Sequence, residues 1–190
     1  MTHELFLASA SPRRRELIAA IGIPFVCASP EADETVPEGT PPRDAALLIA
    51  RRKAEAARSM SESEGRIIVS ADTIVVVDGQ IFGKPSDRQH AASMLRTLSG
   101  REHQVMTGVC VILPDGTTDS FCECTGVRFY PLSDEEIERY IDSGEPMDKA
   151  GAYGIQGIGK LLVEGVSGDY FNVVGLPVAH LKRFIDGMMN

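Results

Sequence analysis

Ile67-Ile68-Val69-Ser70-Ala71-Asp72-Thr73-Ile74-Val75-Val76-Val77 is the stretch on which the fold turns. Its β-branched side chains read as one long buried strand. The turn signal Asp78-Gly79 ends it, and Gln80 to Phe82 starts a returning strand. Outward from this run, helical and strand patterns alternate, which predicts an α/β fold. Upstream, residues 4–8 read as a short buried strand. Ser11 is placed to cap a helix that opens on Pro12 and runs to about Ile21, with Gly22 after its end and Pro24 as a breaker. Residues 26–41 read mostly as loop, and 43–62, rich in Ala, Arg and Glu, as the longest helix.

Downstream, Ser86-Asp87 caps a helix to about Leu98, stopped by Gly100. His103 to Leu113 and Thr118 to Tyr130 form two strands joined at Asp115-Gly116. Ser133 and Glu136 make a capping box for a helix ending near Ser143-Gly144. Seven glycines fall between Gly144 and Gly168 among apolar residues, the composition of an ordered loop whose backbone approaches something closely. Residues 161–164 and 170–175 are expected to pair as strands, and Pro177 to open a last helix ending near Met188. The strand order is not readable from the pattern.

Composition narrows the function. The chain has 190 residues, 43% apolar and 24% charged, an ordinary globular balance that fits a single domain over 1–190 or two small lobes sharing a core. The formal charge is −8, which argues against a nucleic-acid binder but not against a small anionic ligand in a local basic pocket. Four scattered cysteines and four scattered histidines lack disulfide-framework and zinc spacing. No apolar run has the length of a membrane span, and the N-terminus lacks the basic lead-in of a signal peptide, so the expected compartment is the cytoplasm. A homodimer is an open expectation; no exposed apolar stripe in the sequence demands one.

Three segments carry chemistry. Ser9-Ala10-Ser11-Pro12-Arg13-Arg14-Arg15 puts arginines into the first turn of a helix, where acidic residues normally sit. An anion bound there would answer both the arginines and the free N–H groups; solvated arginines paired with Glu16 or acidic loops are the alternative. Asp72 and Thr73 interrupt the buried run. A carboxylate there is a base, a metal ligand, or a strand-end Asp bonded to backbone at a bulge. Lys84, fixed between Gly83 and Pro85, lies near Asp72 if the hairpin folds back, and is otherwise an exposed hairpin lysine. Weaker signals are the acidic loop of Glu31, Asp33 and Glu34, which binds a divalent cation or is merely solvated, and Arg51-Arg52-Lys53, of which at most one or two can reach a site. Gln156 carries the donor and acceptor that reading a base edge requires, and taken in isolation is otherwise a structural residue of the loop.

Together these segments resemble the Maf family of nucleoside triphosphate pyrophosphatases. The resemblance is carried by Ser9-Ala10-Ser11-Pro12-Arg13-Arg14, Ala71-Asp72-Thr73 and Gly83-Lys84-Pro85. It continues through Leu98-Ser99-Gly100, His103 to Val109, Gly144 to Gly157 and Val174-Gly175-Leu176-Pro177. It implies an elongated mixed-sheet α/β domain with a central cleft between two lobes, related to the inosine-triphosphate pyrophosphatases. It implies cleavage of a nucleoside triphosphate to the monophosphate and pyrophosphate with Mg²⁺ or Mn²⁺. The stretch from Lys149 to Gln156 looks like the branch acting on dTTP and UTP, with modified pyrimidine nucleotides as further candidates. By the same resemblance Asp72 is the proton acceptor and Arg13, Thr73 and Gln156 discriminate substrate. Ser9, Arg14, Lys53 and Lys84 touch phosphate or base, and Asp33 and Glu34 join Asp72 at the metal. The family has been linked to septum formation, so a nucleotide-binding regulator of cell division without significant turnover is the rival reading. Asp72 and Lys84 favour the enzyme, because a sensor needs no base.

Overall fold

The computed structural model describes residues 4–189. The run Ile67–Val77 is a single strand, β3, in a mixed sheet. With β1 (Leu5–Ala8), β2 (Phe25–Ala28), β5 (Glu102–Ile112), β6 (Thr118–Phe129) and β7 (Val163–Ser167), the order is β2-β1-β3-β5-β6-β7; β4 (Gln80–Phe82) pairs with β3 outside that path. β1 is parallel to both β2 and β3, whereas β4 is antiparallel to β3 and β7 to β6. The helices are α1 (Pro12–Ala19), α2 (Pro42–Arg58), α3 (Arg88–Leu98), α4 (Asp134–Asp142), α5 (Tyr170–Val174) and α6 (Val178–Met188). No helix among the described residues is long and apolar enough to cross a membrane.

Local signals act as their chemistry predicts. The Ser11 hydroxyl accepts from the Arg14 N–H, the Asp87 carboxylate accepts from the His90 N–H, and Ser133 with Glu136 completes the capping box. Asp78 and Gly79 both take positive φ, as the tight β3–β4 turn requires. Three expectations fail. β2 lies in the segment read as loop from residue 26; four half-exposed residues at a sheet edge are too short to show alternation. Residues 170–174 are helix α5, not a strand, because Asp169 accepts from the Phe171 N–H and turns the chain, overriding the strand preference of Val173 and Val174. The last strand is Val163–Ser167, and its partner is β6.

The described residues divide into two compact units, one of residues 4–72, 107–123 and 175–189, the other of 73–106 and 124–174. In the first, strand alternation sorts the core onto two faces. Leu5, Leu7, Ile67, Val69, Ala71, Val109 and Val111 pack with Ile18 of α1 and with Leu181 and Ile185 of α6. Phe6, Ala8, Ile68, Cys110 and Ile112 pack against Ala50, Ala54 and Ala57 of α2. In the second unit Val75, Val77, Val105, Val127 and Phe129 pack with Leu95 and Leu98 of α3 and with Ile137, Tyr140 and Ile141 of α4. Each fully buried aliphatic side chain contributes about 1.5–3 kcal/mol.

Candidate functional site

Within β3 only Asp72 and Thr73 are not fully buried. By alternation Ser70 and Asp72 share the face that meets α2. The buried Ser70 hydroxyl donates to the Ala50 carbonyl at 2.6 Å. One helical turn on from Ala50 and one strand repeat on from Ser70, Lys53 Nζ donates to Asp72 Oδ1 at 2.7 Å. Three helical residues advance about 4.5 Å and two strand residues about 6.6 Å, a difference that the long Lys53 side chain spans. α2 comes this close because its sheet-facing side is alanine and because β5 offers Gly108, where a Cβ would overlap the backbone of Ala46. The side chains of Lys53 and Asp72 are only 16% and 14% exposed.

Lys53 also pairs with Glu34 at 2.8 Å, so two carboxylates meet on one ammonium. Asp33 is engaged elsewhere. It pairs with Arg52, and the hydroxyl and N–H of Thr35 hold its carboxyl below the usual range. Arg52 also donates to the Asp33 and Thr35 carbonyls, and Arg51 donates to the Ser120 hydroxyl. Of the three consecutive cations, Lys53 alone pairs with Asp72. Among the described residues no group of three or more His, Cys, Asp or Glu is assembled to hold a metal ion. Asp72 and Glu34 converge on the Lys53 ammonium, which balances part of their charge.

α1 has no acidic residue in its first turn. Arg14 is half-buried. Its Nε donates to the Gly175 carbonyl at 2.8 Å and its Nη1 reaches the buried Ser9 hydroxyl at 3.4 Å. Burial lowers the Arg14 pKa, Asp72 acts against this, Arg13 adds to it, and Glu34 opposes it. An arginine in that setting stays charged and presents a desolvated cation to an anion. Arg13 is half-buried and Arg15 is exposed.

In the second unit Thr73 is half-buried, Lys84 is exposed and Pro85 is buried. The returning strand is present: Phe82 stands opposite Val75, so Lys84 follows two residues beyond a pair that Thr73 precedes by two. The glycine-rich loop is ordered into short 3₁₀ turns. Gly151 and Ala152 both take left-handed φ, and a Cβ at Gly151 would press on Val75. This turn sends Tyr153 inward, where its hydroxyl meets His103 Nε2 at 2.8 Å and its ring packs edge-on to Phe129. Ile155 is buried and Gln156 is exposed, so the amide is presented outward between anchored neighbours.

The model of the family described as Maf-like protein matches residues 4–188. The chain belongs to the Maf family. Among curated relatives of this Maf chain is a "dTTP/UTP pyrophosphatase" of Symbiobacterium thermophilum, 53% identical over 92% of this chain and 89% of that one. Proteins of the same name from Carboxydothermus hydrogenoformans (53% identical, 95% and 96% covered) and Bacillus velezensis (46%, 96% and 95%) are similarly close. Among solved structures, the Staphylococcus aureus Ham1 protein matches with TM-score 0.58 at 15% identity, covering 97% and 99%. A HAM1 protein from Coxiella burnetii matches with TM-score 0.53 at 13% identity, with the same coverage. These likenesses show that the mixed α/β fold of the Maf chain is the Ham1 fold.

The geometry also holds residues that the sequence reading passed over. Ser70 had a signal, a polar residue two places before Asp72 in an apolar run. Gly108 had none until α2 was seen to rest on it. Glu145 and Tyr140 are hidden because, apart from each other, the hydrogen-bond partners of their side chains are backbone N–H groups.

Proposed function

We propose that this chain is a nucleoside triphosphate pyrophosphatase that hydrolyses dTTP and UTP to the monophosphate and pyrophosphate. The observation that carries the proposal is the Asp72–Lys53 pair, a shielded carboxylate and cation fixed between a strand and a helix. Relatives at 46–53% identity that bear the name dTTP/UTP pyrophosphatase support the choice of substrate. The family match over 4–188 supports treating 1–190 as one functional domain.

In this reading Asp72 orients a water and takes its proton as the water oxygen bonds to the α phosphorus. The bond from that phosphorus to the bridging oxygen breaks, and pyrophosphate leaves with the electron pair. Help from a positioned base contributes typically about 10²–10⁴-fold. A triphosphate gives Lys53 a stronger anionic partner than Asp72, which frees the carboxylate to accept. Lys53, Arg13, Arg14 and Lys84 balance the charge on the phosphates and the leaving group, and Ser9 donates to a phosphate oxygen. Thr73 and Gln156 read the pyrimidine. Asp72 and Glu34 would hold Mg²⁺ or Mn²⁺, with Asp33 joining only by exchanging Arg52; the cation supplies Lewis-acid polarisation of a phosphoryl oxygen.

The test is pyrophosphate release by the purified chain with Mg²⁺ over dTTP, UTP, CTP, dATP, GTP and 7-methyl-GTP. Preferential release from dTTP and UTP supports the proposal. Nucleotide binding without release from any of them would favour the regulator, and a preference for 7-methyl-GTP would overturn the choice of substrate.

A further inference from the structure

The backbone on both sides of Gln156 is held by Glu145, directly on one flank and through the Tyr140 hydroxyl on the other. Glu145 Oε2 accepts the N–H of Ile158 at 2.7 Å, and its Oε1 accepts the N–H of Gly159 at 3.1 Å and the Tyr140 hydroxyl at 3.0 Å. The same hydroxyl accepts the N–H of Gly154 at 3.1 Å. Gly154 stands two residues before Gln156, and Ile158 two residues after it. The glycines between are what let the clamp close. A Cβ at Gly157 would overlap the Glu145 carboxylate, one at Gly159 would overlap the Gly154 carbonyl, and one at Gly154 would run into the Lys149 stem. Lys149 spends its ammonium on the Glu145 carbonyl at 2.8 Å and on Asp148 at 2.7 Å, locking the start of the same loop.

Burial works against the Glu145 charge, but the N–H groups of Ile158 and Gly159, the Tyr140 hydroxyl and Lys149 outweigh it and hold the carboxyl below its usual range. Hydrogen bonds to an ionised acceptor are about twice as strong as neutral ones. Glu145 is half-buried at the first turn of the loop, and α4, which carries Tyr140, anchors that turn to the core.

We infer that Glu145 is a positioning residue for substrate choice: its carboxylate fixes the backbone after Gln156 directly and the backbone before it through the Tyr140 hydroxyl, and so the place from which that amide meets the base. The inference rests on reading Gln156 as the base-contacting residue. Glu145 touches no substrate in this account; it acts through the loop.

The test uses Glu145→Gln, which keeps the shape but cannot accept on both oxygens, and Tyr140→Phe, which removes the hydroxyl that joins Gly154 to Glu145 and leaves the carboxylate its bonds to Ile158 and Gly159. Glu145→Gln is expected to lower the preference for dTTP over CTP, as the ratio of kcat/KM values, by about tenfold. The kcat on dTTP should change less than that ratio. Tyr140→Phe should give a smaller loss in the same direction. Amide exchange at Ile158 and Gly159 should quicken in the first variant and at Gly154 in both. A merely structural glutamate would lower the melting temperature and slow every nucleotide alike, which would overturn the inference, as would an unchanged preference in both variants beside an active wild type. If Glu145→Gln fails to fold, Tyr140→Phe decides. A wild type that turns over no nucleotide in the same assay would instead overturn the pyrophosphatase reading, and this inference with it.

Discussion

Lys53 Nζ stands 2.7 Å from Asp72 Oδ1, one helical turn and one strand repeat beyond the bond from the Ser70 hydroxyl to the Ala50 carbonyl. The ion pair is therefore set by how closely α2 lies on the sheet. Gly108→Ala forces α2 outward, because the new Cβ would meet backbone rather than a yielding side chain. It should cost about 1–3 kcal/mol, as overpacking does. That corresponds to a melting temperature lower by roughly 2–4 °C per kcal/mol. Ser70→Ala should cost about 1–2 kcal/mol through the lost buried bond. Both should lower kcat/KM on dTTP, and calorimetry beside kinetics checks the pair of effects.

Glu34 shares Lys53 with Asp72. If the two carboxylates hold the cation, Glu34→Gln should raise the Mg²⁺ concentration needed for half-maximal rate by about tenfold or more, with a smaller change in KM for dTTP. Chelation should stop turnover and Mn²⁺ should restore it. An unchanged Mg²⁺ titration would remove Glu34 from the cation site.

His103 gives a pH signature of folding. Burial depresses its pKa from 6.5 to about 4, and its Nδ1 has no hydrogen-bond partner among the described residues. The folded state keeps the ring neutral while the unfolded state takes up a proton below 6.5. Stability should therefore fall as pH drops from 6.5 towards 4, by about 3 kcal/mol from this residue at full effect. Glu145, with its carboxyl depressed in the folded state, adds a separate loss at lower pH, below the ordinary carboxylate range. Urea midpoints between pH 7 and 4 should decline steeply for the wild type and less so for His103→Gln. Equal slopes would show that His103 does not titrate in this way.

Gln156 is exposed between anchored neighbours. Gln156→Glu replaces the amide donor by an acceptor and should alter the order of preference among dTTP, UTP and CTP more than it alters the rate on the best substrate. Uniform slowing across all nucleotides would deny Gln156 a part in reading the base.

Much of this was legible in the sequence because local chemistry set it. The caps at Ser11, Asp87 and Ser133, the Asp78-Gly79 turn and the interruption at Asp72 each act over a few residues, and each is found where the pattern places it. Segment 170–174 was misread because Val173 and Val174 carry a strand preference that a turn at Asp169 overrides. The pairing of Lys53, rather than Arg51 or Arg52, with Asp72 follows from the rotation of α2 on the sheet, and Gly108 and the alanine face set that rotation only after folding. The splitting of the acidic loop, Glu34 to Lys53 and Asp33 to Arg52, is likewise a long-range result. The Glu145 clamp leaves no side-chain pattern because most of its partners are main-chain groups.

The account rests on Asp72 activating a water at the α phosphorus, and hydrolysis of dTTP with Mg²⁺ in ¹⁸O-water, wild type beside Asp72→Asn, tests it most directly. One ¹⁸O should appear in the monophosphate and none in pyrophosphate, and the variant should lose about 10²–10⁴-fold in rate with its fold intact. Label in the pyrophosphate, or a variant that turns over at the wild-type rate, would contradict it.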